Sequence, residues 1–304
     1  MLTKHTAILL SLFSAWLLSA LNAAASERRL AFERDTYVWV ASLDGTAPKR
    51  IARGQGPELS PDGTRLAYNT VQPTGQPAHR QIAILDFASG KTTMLDKVPS
   101  TNAMMPRWSP DGARLLFDYY ADNERRMGVI NADGTGFTGV FDTQRTRRNY
   151  WSAAWAADGR SFFAQDMESI YRLDMSGNVV KQWRIEQIVS RGGMSGDVRL
   201  TASPDGRTLL MDVEMAERER PGWDGPPPSI WLFDLDAGSS RRLTPPALYA
   251  WDSAWLDAPD SILFLSQARG ETTPSIYRMT TNGKGADRKL LVRNARTPSA
   301  SGAK

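Results

Sequence analysis

The strongest constraint on this chain is a short phrase that recurs along it. An apolar or aromatic residue is followed by Ser-Pro-Asp-Gly and then by a few residues of apolar strand. The phrase stands at Leu59-Ser60-Pro61-Asp62-Gly63 and at Trp108-Ser109-Pro110-Asp111-Gly112. It returns as Trp155-Ala156-Ala157-Asp158-Gly159 and as Ala202-Ser203-Pro204-Asp205-Gly206. A worn copy follows at Trp255-Leu256-Asp257-Ala258-Pro259-Asp260. Successive glycines lie 49, 47 and 47 residues apart. A period of about 40–50 residues, made of short strands and tight turns, is that of a propeller blade.

Each repeat has a second half: a strand, an Asx/Gly turn and another strand. Six copies are readable, at Tyr37–Val40, Gln81–Leu85, Met127–Ile130, Ser169–Leu173, Ser229–Phe233 and Ser275–Met279. Their Val, Ile, Tyr, Trp and Phe residues suit half-buried strands. Asp, Asn and Gly shape the turns, through side-chain bonds to the turn backbone and through tolerance of positive φ. The expected fold is all-β: a six-bladed propeller of four-stranded antiparallel blades, with strands a to d running outward. The a–b and c–d turns then lie on one face, and the b–c and d–a loops on the other. First halves number five and second halves six, so one inner strand is missing from the start. Residues 297–302 faintly echo residues 56–60, which suggests that the N- and C-terminal segments together close the ring and remove its open edges. A weakly ordered polar tail over 294–304 is the other reading.

The N-terminus reads as an export signal over residues 1–25. Lys4 and His5 form a polar head, Ala7 to Leu21 is apolar, and Ala23-Ala24-Ala25 supplies small residues for cleavage. That apolar run is short for a membrane span, which needs about 20 residues. Residues 26–304 then form a single propeller domain. The chain has no cysteine and two histidines, of which only His79 lies beyond the signal. Thiol nucleophiles, disulfides and multi-histidine metal sites are excluded by that count. The formal charge of +4 is spread along the chain, whereas nucleic-acid binding needs a concentrated basic stripe.

The repeated Ser-Pro-Asp-Gly phrase, preceded by Trp or Leu and followed by Arg-Leu, resembles the TolB-type β-propeller repeat. The resemblance covers about residues 29–293. It implies envelope association and complex formation, by analogy of fold. The N-terminal α/β domain that accompanies the propeller in TolB has no counterpart between the signal and the first strand.

The turn aspartates Asp62, Asp111, Asp158 and Asp205 recur in every full copy, so they read as turn-shaping residues. Function is expected on the irregular loops that a rigid scaffold holds. There, aromatic residues and arginines gather, the types enriched in binding hot spots. Arg147, Arg148, Tyr150, Trp151, Trp223 and Trp251 are the expected partner- or ligand-binding anchors. The loop 214–228, rich in proline and carrying Trp223, departs most from the repeat. Glu58, Arg107, Trp151, Asp197 and Asp252 fall near the starts of the inner strands, where a channel cation would find oxygen ligands. No other cofactor or metal is expected. Gly192-Gly193-Met194-Ser195-Gly196-Asp197 does not match the G-x-S-x-G elbow of a serine hydrolase, and no catalytic residue is assigned. The leading expectation is a periplasmic, non-enzymatic binding scaffold. Its partner would be an envelope protein or a peptidoglycan-associated protein, with no nucleic acid and no integral membrane span. The competing expectation is a carbohydrate-active protein, binding or cleaving an acidic polysaccharide on the same face.

Overall fold

A computed structural model describes residues 28–71, 79–140, 150–196, 198–216, 225–257, 259–268, 271–283 and 285–302. The export signal expected over 1–25 lies outside these residues. The chain is an all-β propeller of four-stranded antiparallel blades. One sheet has seven strands in the order Arg296–Ala300, Arg29–Arg34, Tyr37–Ser42, Lys49–Leu59, Arg65–Thr70, Ile82–Asp86 and Thr92–Met94. Its long strand, Lys49–Leu59, pairs with Tyr37–Val40 through residues 49–53 and with Leu66–Thr70 through residues 54–59. Three four-stranded sheets follow the repeat directly, starting at Ala103, Trp151 and Ala250. In the remaining sheet, Gly192–Gly193 and Leu200–Ala202 both pair with Thr208–Met215 and so divide the inner edge between them.

The tail does not stay loose. Arg296–Ala300 pairs antiparallel with Arg29–Arg34, matching Ala300 to Leu30 and Ser299 to Ala31. Ser301 adds a backbone bond to the carbonyl of Arg29. The first strand is thereby covered by the last.

Apolar residues gather between sheets rather than at one centre. Leu116, Met127 and Val129 meet Phe162, Tyr171 and Leu173. Phe163 and Ile170 meet Leu209, Met211 and Phe233. Leu30 and Phe32 meet Leu263, Leu265 and Ile276, so the first and last sheets also share a core. This stacking explains why Ser161–Gln165 is buried at every residue: both its faces meet a neighbouring sheet.

The recurrent phrase forms the turn predicted for it. Ser109 Oγ donates to Asp111 Oδ1 at 2.5 Å and accepts from the Arg114 amide at 2.9 Å. Asp111 Oδ1 also accepts from the Ala113 amide at 2.9 Å. Gly112 takes φ 69°, a conformation that glycine adopts without steric cost. Ser60 with Asp62 and Ser203 with Asp205 repeat the serine–aspartate bond. These hydrogen bonds hold the Asp111 carboxyl below its ordinary range; Asp62 and Asp205 are lowered as well, against some burial. The turn aspartates are structural, as their recurrence suggested.

Candidate binding funnel on the channel axis

The innermost strands send two sets of residues toward the axis. One set stands one place before the aromatic position of the phrase: Glu58, Arg107, Ala154, Thr201, Ala254 and Ser299. The other stands three places before it: Gly56, Met105, Ser152, Arg199, Asp252 and Thr297. Pairing register slips between the two sets, as between Met104 and Arg107 or Trp251 and Ala254. Five members of the second set have positive φ: Gly56, Met105, Ser152, Asp252 and Thr297, all between 51° and 60°. For a side chain other than glycine this costs roughly 1–2 kcal/mol. Residues held in this way tend to cluster at functional sites.

All six residues of that second set line a cavity of about 330 Å³. It opens at the end of the disc where the b–c and d–a connections emerge. Met104, Trp251, Arg80 and the Asp118–Arg125 ion pair complete its wall. That pair is close, at 2.5 Å between Nη2 and Oδ2. Met105 is 40 % exposed at the mouth.

Beneath the mouth, polar side chains occupy equivalent positions on the second strands: Glu33, Asn69, Asp118, Gln165 and Asp212. Most of them reach the next inner strand. Glu33 Oε2 accepts from the Gly56 amide at 3.3 Å, and Asn69 Oδ1 from the Met105 amide at 3.1 Å. Gln165 donates to the Ser195 carbonyl at 2.8 Å. Asp212 accepts from the Asp252 amide at 2.6 Å and from Ser253 Oγ at 3.0 Å. These bonds hold the strained backbone in place. Burial, then the neighbouring Asp252 charge, pushes the Asp212 carboxyl up to about 7. Burial also raises Glu33.

The channel narrows at a charged neck. Arg199 Nη1 reaches Asp252 at 2.9 Å and the Pro298 carbonyl at 3.0 Å, while its Nη2 reaches Glu58 at 3.2 Å. Arg107 approaches the same Glu58 oxygen at 3.6 Å. Burial is the largest influence on both guanidiniums. The Asp252 and Glu58 charges outweigh it at Arg199, whose pKa is raised; at Arg107 burial and the Arg199 charge prevail, and the pKa is lowered.

The expected residues fare differently. Glu58, Arg107 and Asp252 do meet at the axis, and the cation between the two carboxylates is the guanidinium of Arg199. Trp251 lines the mouth. Trp151 stands at the equivalent place on its own strand, against Gly196, and Ser152 Oγ bonds the Gly196 carbonyl. Tyr150, expected as a surface anchor, instead lies in the core at 7 % exposure, edge-to-face with Tyr171 at 5.3 Å. Arg147, Arg148, Asp197 and Trp223 lie outside the described residues.

Sequence reasoning missed Arg199, Met105 as a strained rim residue, and the ring of buried polar side chains. A signal existed: in five copies the tenth residue after the aromatic position, or its equivalent at Glu33, is polar within an apolar strand. The same place in the worn copy holds Leu265.

Radial sheets, Ser-Pro-Asp-Gly turns and an axial funnel define a β-propeller. No protein-family model matches the chain. Among solved structures it is similar to TolB from Acinetobacter baumannii, at 18% identity over 91% of this chain and 67% of that one, with a TM-score of 0.65. It is also similar to a chain of a nidogen/laminin complex, at 11% identity over 90% of this chain and 98% of that one, TM-score 0.63. A third is the oligogalacturonate lyase of Vibrio parahaemolyticus, at 15% identity over 84% of this chain and 74% of that one, TM-score 0.54. In fold, the chain is a TolB-like β-propeller.

Proposed function

We propose that this protein is a periplasmic, non-enzymatic binding scaffold that offers the loop-end funnel to a protein partner of the cell envelope. The observation that carries the reading is the funnel's wall. Exposed Met105, half-buried Trp251 and buried Met104 line it together with arginines and carboxylates, and side-chain bonds fix its strained backbone. A preformed site loses little conformational freedom on binding, so its contacts convert well into affinity. The export signal over 1–25 supports delivery to the periplasm, with residues 26–304 as one propeller domain. Among the described residues no helix is long and apolar enough to cross a membrane.

The same reading takes the ring as six-bladed. The seven-stranded sheet then holds two blades that share Lys49–Leu59. A distinct core cluster between its halves, joining Val38 and Val40 to Leu66 and Ala83, supports that division.

Removing anchors tests the proposal. Trp251→Ala and Trp151→Ala should retain the far-ultraviolet spectrum and lose crosslinked periplasmic partners in a pull-down. Equal recovery of the same partners by both variants contradicts the site.

A second reading is an acidic-polysaccharide protein, favoured by Arg80 and Arg125 at the mouth and by the likeness in fold to an oligogalacturonate lyase. A rise in absorbance from new unsaturated ends, on incubation with a uronate polymer, would favour it over the scaffold.

A further inference from the structure

The channel has a second opening, on the face that carries the Ser-Pro-Asp-Gly turns. It is a cavity of about 470 Å³, larger than the one at the loop end. Its rim is apolar: Trp108, Trp155 and Trp255 with Pro61, Pro110 and Pro204. The indole N–H groups are already used, in bonds to the carbonyls of Glu58, Arg107 and Thr201. The tryptophans therefore present carbon surface to the cavity. Deeper in, the axial set contributes four small residues, Ala154, Thr201, Ala254 and Ser299, which leave the space open. The other two members of that set are charged, Glu58 and Arg107, and Arg199 joins them on the floor.

The charges on this floor are unevenly served. Arg199 has two carboxylates and a carbonyl. Arg107 has no carboxylate within hydrogen-bond distance among the described residues. Its nearest, Glu58, stands at 3.6 Å and is shared with Arg199. The hydrogen bond that Arg107 makes runs from Nη1 to the carbonyl of its neighbour Pro106. A guanidinium has five N–H donors in a planar fork suited to a carboxylate. A half-buried guanidinium with a distant, shared counter-charge still has donors to offer a further anion. Pockets of about 300–1,000 Å³ with apolar walls and a few polar groups are typical of small-molecule sites.

We propose that this turn-face funnel is a separate binding site for a small apolar carboxylic acid, with the hydrocarbon part among the tryptophans and prolines and the carboxylate on Arg107. The site lies across the charged neck from the loop-end funnel, with Arg107 and Arg199 of the neck lining both cavities.

Decanoate is a suitable probe and decan-1-ol its uncharged counterpart, titrated calorimetrically into the full mature chain. Decanoate should bind one molecule per chain and at least tenfold more tightly than the alcohol. Arg107→Met should remove that preference and leave the alcohol's affinity unchanged. Thr201→Phe, which fills the funnel without touching the ion pairs, should abolish binding of both; it decides the matter if Arg107→Met fails to fold. Absence of decanoate binding to the wild type overturns the proposal. So does undiminished binding in folded Thr201→Phe. An acetylated leucine tripeptide with a free C-terminus that binds where decanoate does not would show a peptide site instead.

Discussion

Asp212 and Asp111, in different sheets, show how the same residue type serves opposite ends of the repeated inner strand pair. At the turn, Asp111 is exposed and its carboxylate is stabilised by a hydroxyl and an amide, so its pKa is lowered. Its stabilising contribution is present above the ordinary aspartate pKa and lost as pH falls through the lowered value. At the funnel, Asp212 is 4 % exposed and its pKa is raised to about 7. The folded protein then holds a proton that the unfolded chain has released. That contribution is full below the ordinary value and lost as pH rises through about 7. The melting temperature should therefore fall from about pH 4 to about pH 7 and level off above that. In Asp212→Asn the slope should flatten, with a remainder from Glu33, whose pKa is raised for the same reason. Equal slopes in the two proteins would show that Asp212 is ionised throughout. The turn aspartates were readable because they recur with their serine and glycine. Asp212 was hidden because its partners, Asp252 and Ser253, lie 40 and 41 residues away and arrive only through sheet stacking.

Adjacent sheets are joined by repeated side-chain ties. Arg65 stacks over Trp108 at 4.6 Å and donates to the Gly112 carbonyl at 2.7 Å. Arg114 does the same with Trp155 at 5.0 Å and Gly159 at 2.7 Å. Each of these tryptophans bonds back to the inner strand before it. The Arg and Trp of the repeat are thus an intersheet joint, which explains why both belong to the phrase. Trp155→Phe keeps most of the apolar volume but leaves the Arg107 carbonyl without its donor. A buried group so exposed costs about 1–3 kcal/mol. The urea midpoint should fall accordingly, and an unchanged midpoint would mean that the indole bond contributes nothing. Strands and turns were predictable from periodicity and turn chemistry. The bulges were not: positive φ at Met105, Ser152 and Thr297 sits on residue types with no sequence preference for it. Tyr150 misled for a related reason. An aromatic residue beside an arginine-rich loop looks like a hot spot, and only the edge-to-face neighbour Tyr171 reveals it as core.

The whole disc depends on how the chain's two ends meet. Both funnels take part of their wall from residues 297–302: Thr297 at the loop end, and Ser299, Ala300 and Gly302 at the turn end. Pro298 supplies a carbonyl to the neck, and Ser299 Oγ accepts from the Leu59 amide at 3.0 Å. The last strand is therefore both clasp and lining. Its echo of residues 56–60 hinted at this, but its polar composition argued equally for a loose tail, because the stabilising contacts come from Leu30 and Phe32 and their neighbours rather than from the strand itself. The chain has no cysteine, so one engineered pair gives an unambiguous reading. Ala31→Cys with Ser299→Cys places two thiols on residues paired across the closure. A closed ring predicts spontaneous, near-complete disulfide formation, no thiol open to maleimide before reduction, and an unfolding midpoint no lower than that of the reduced protein. Two freely labelled thiols in a folded protein would contradict it.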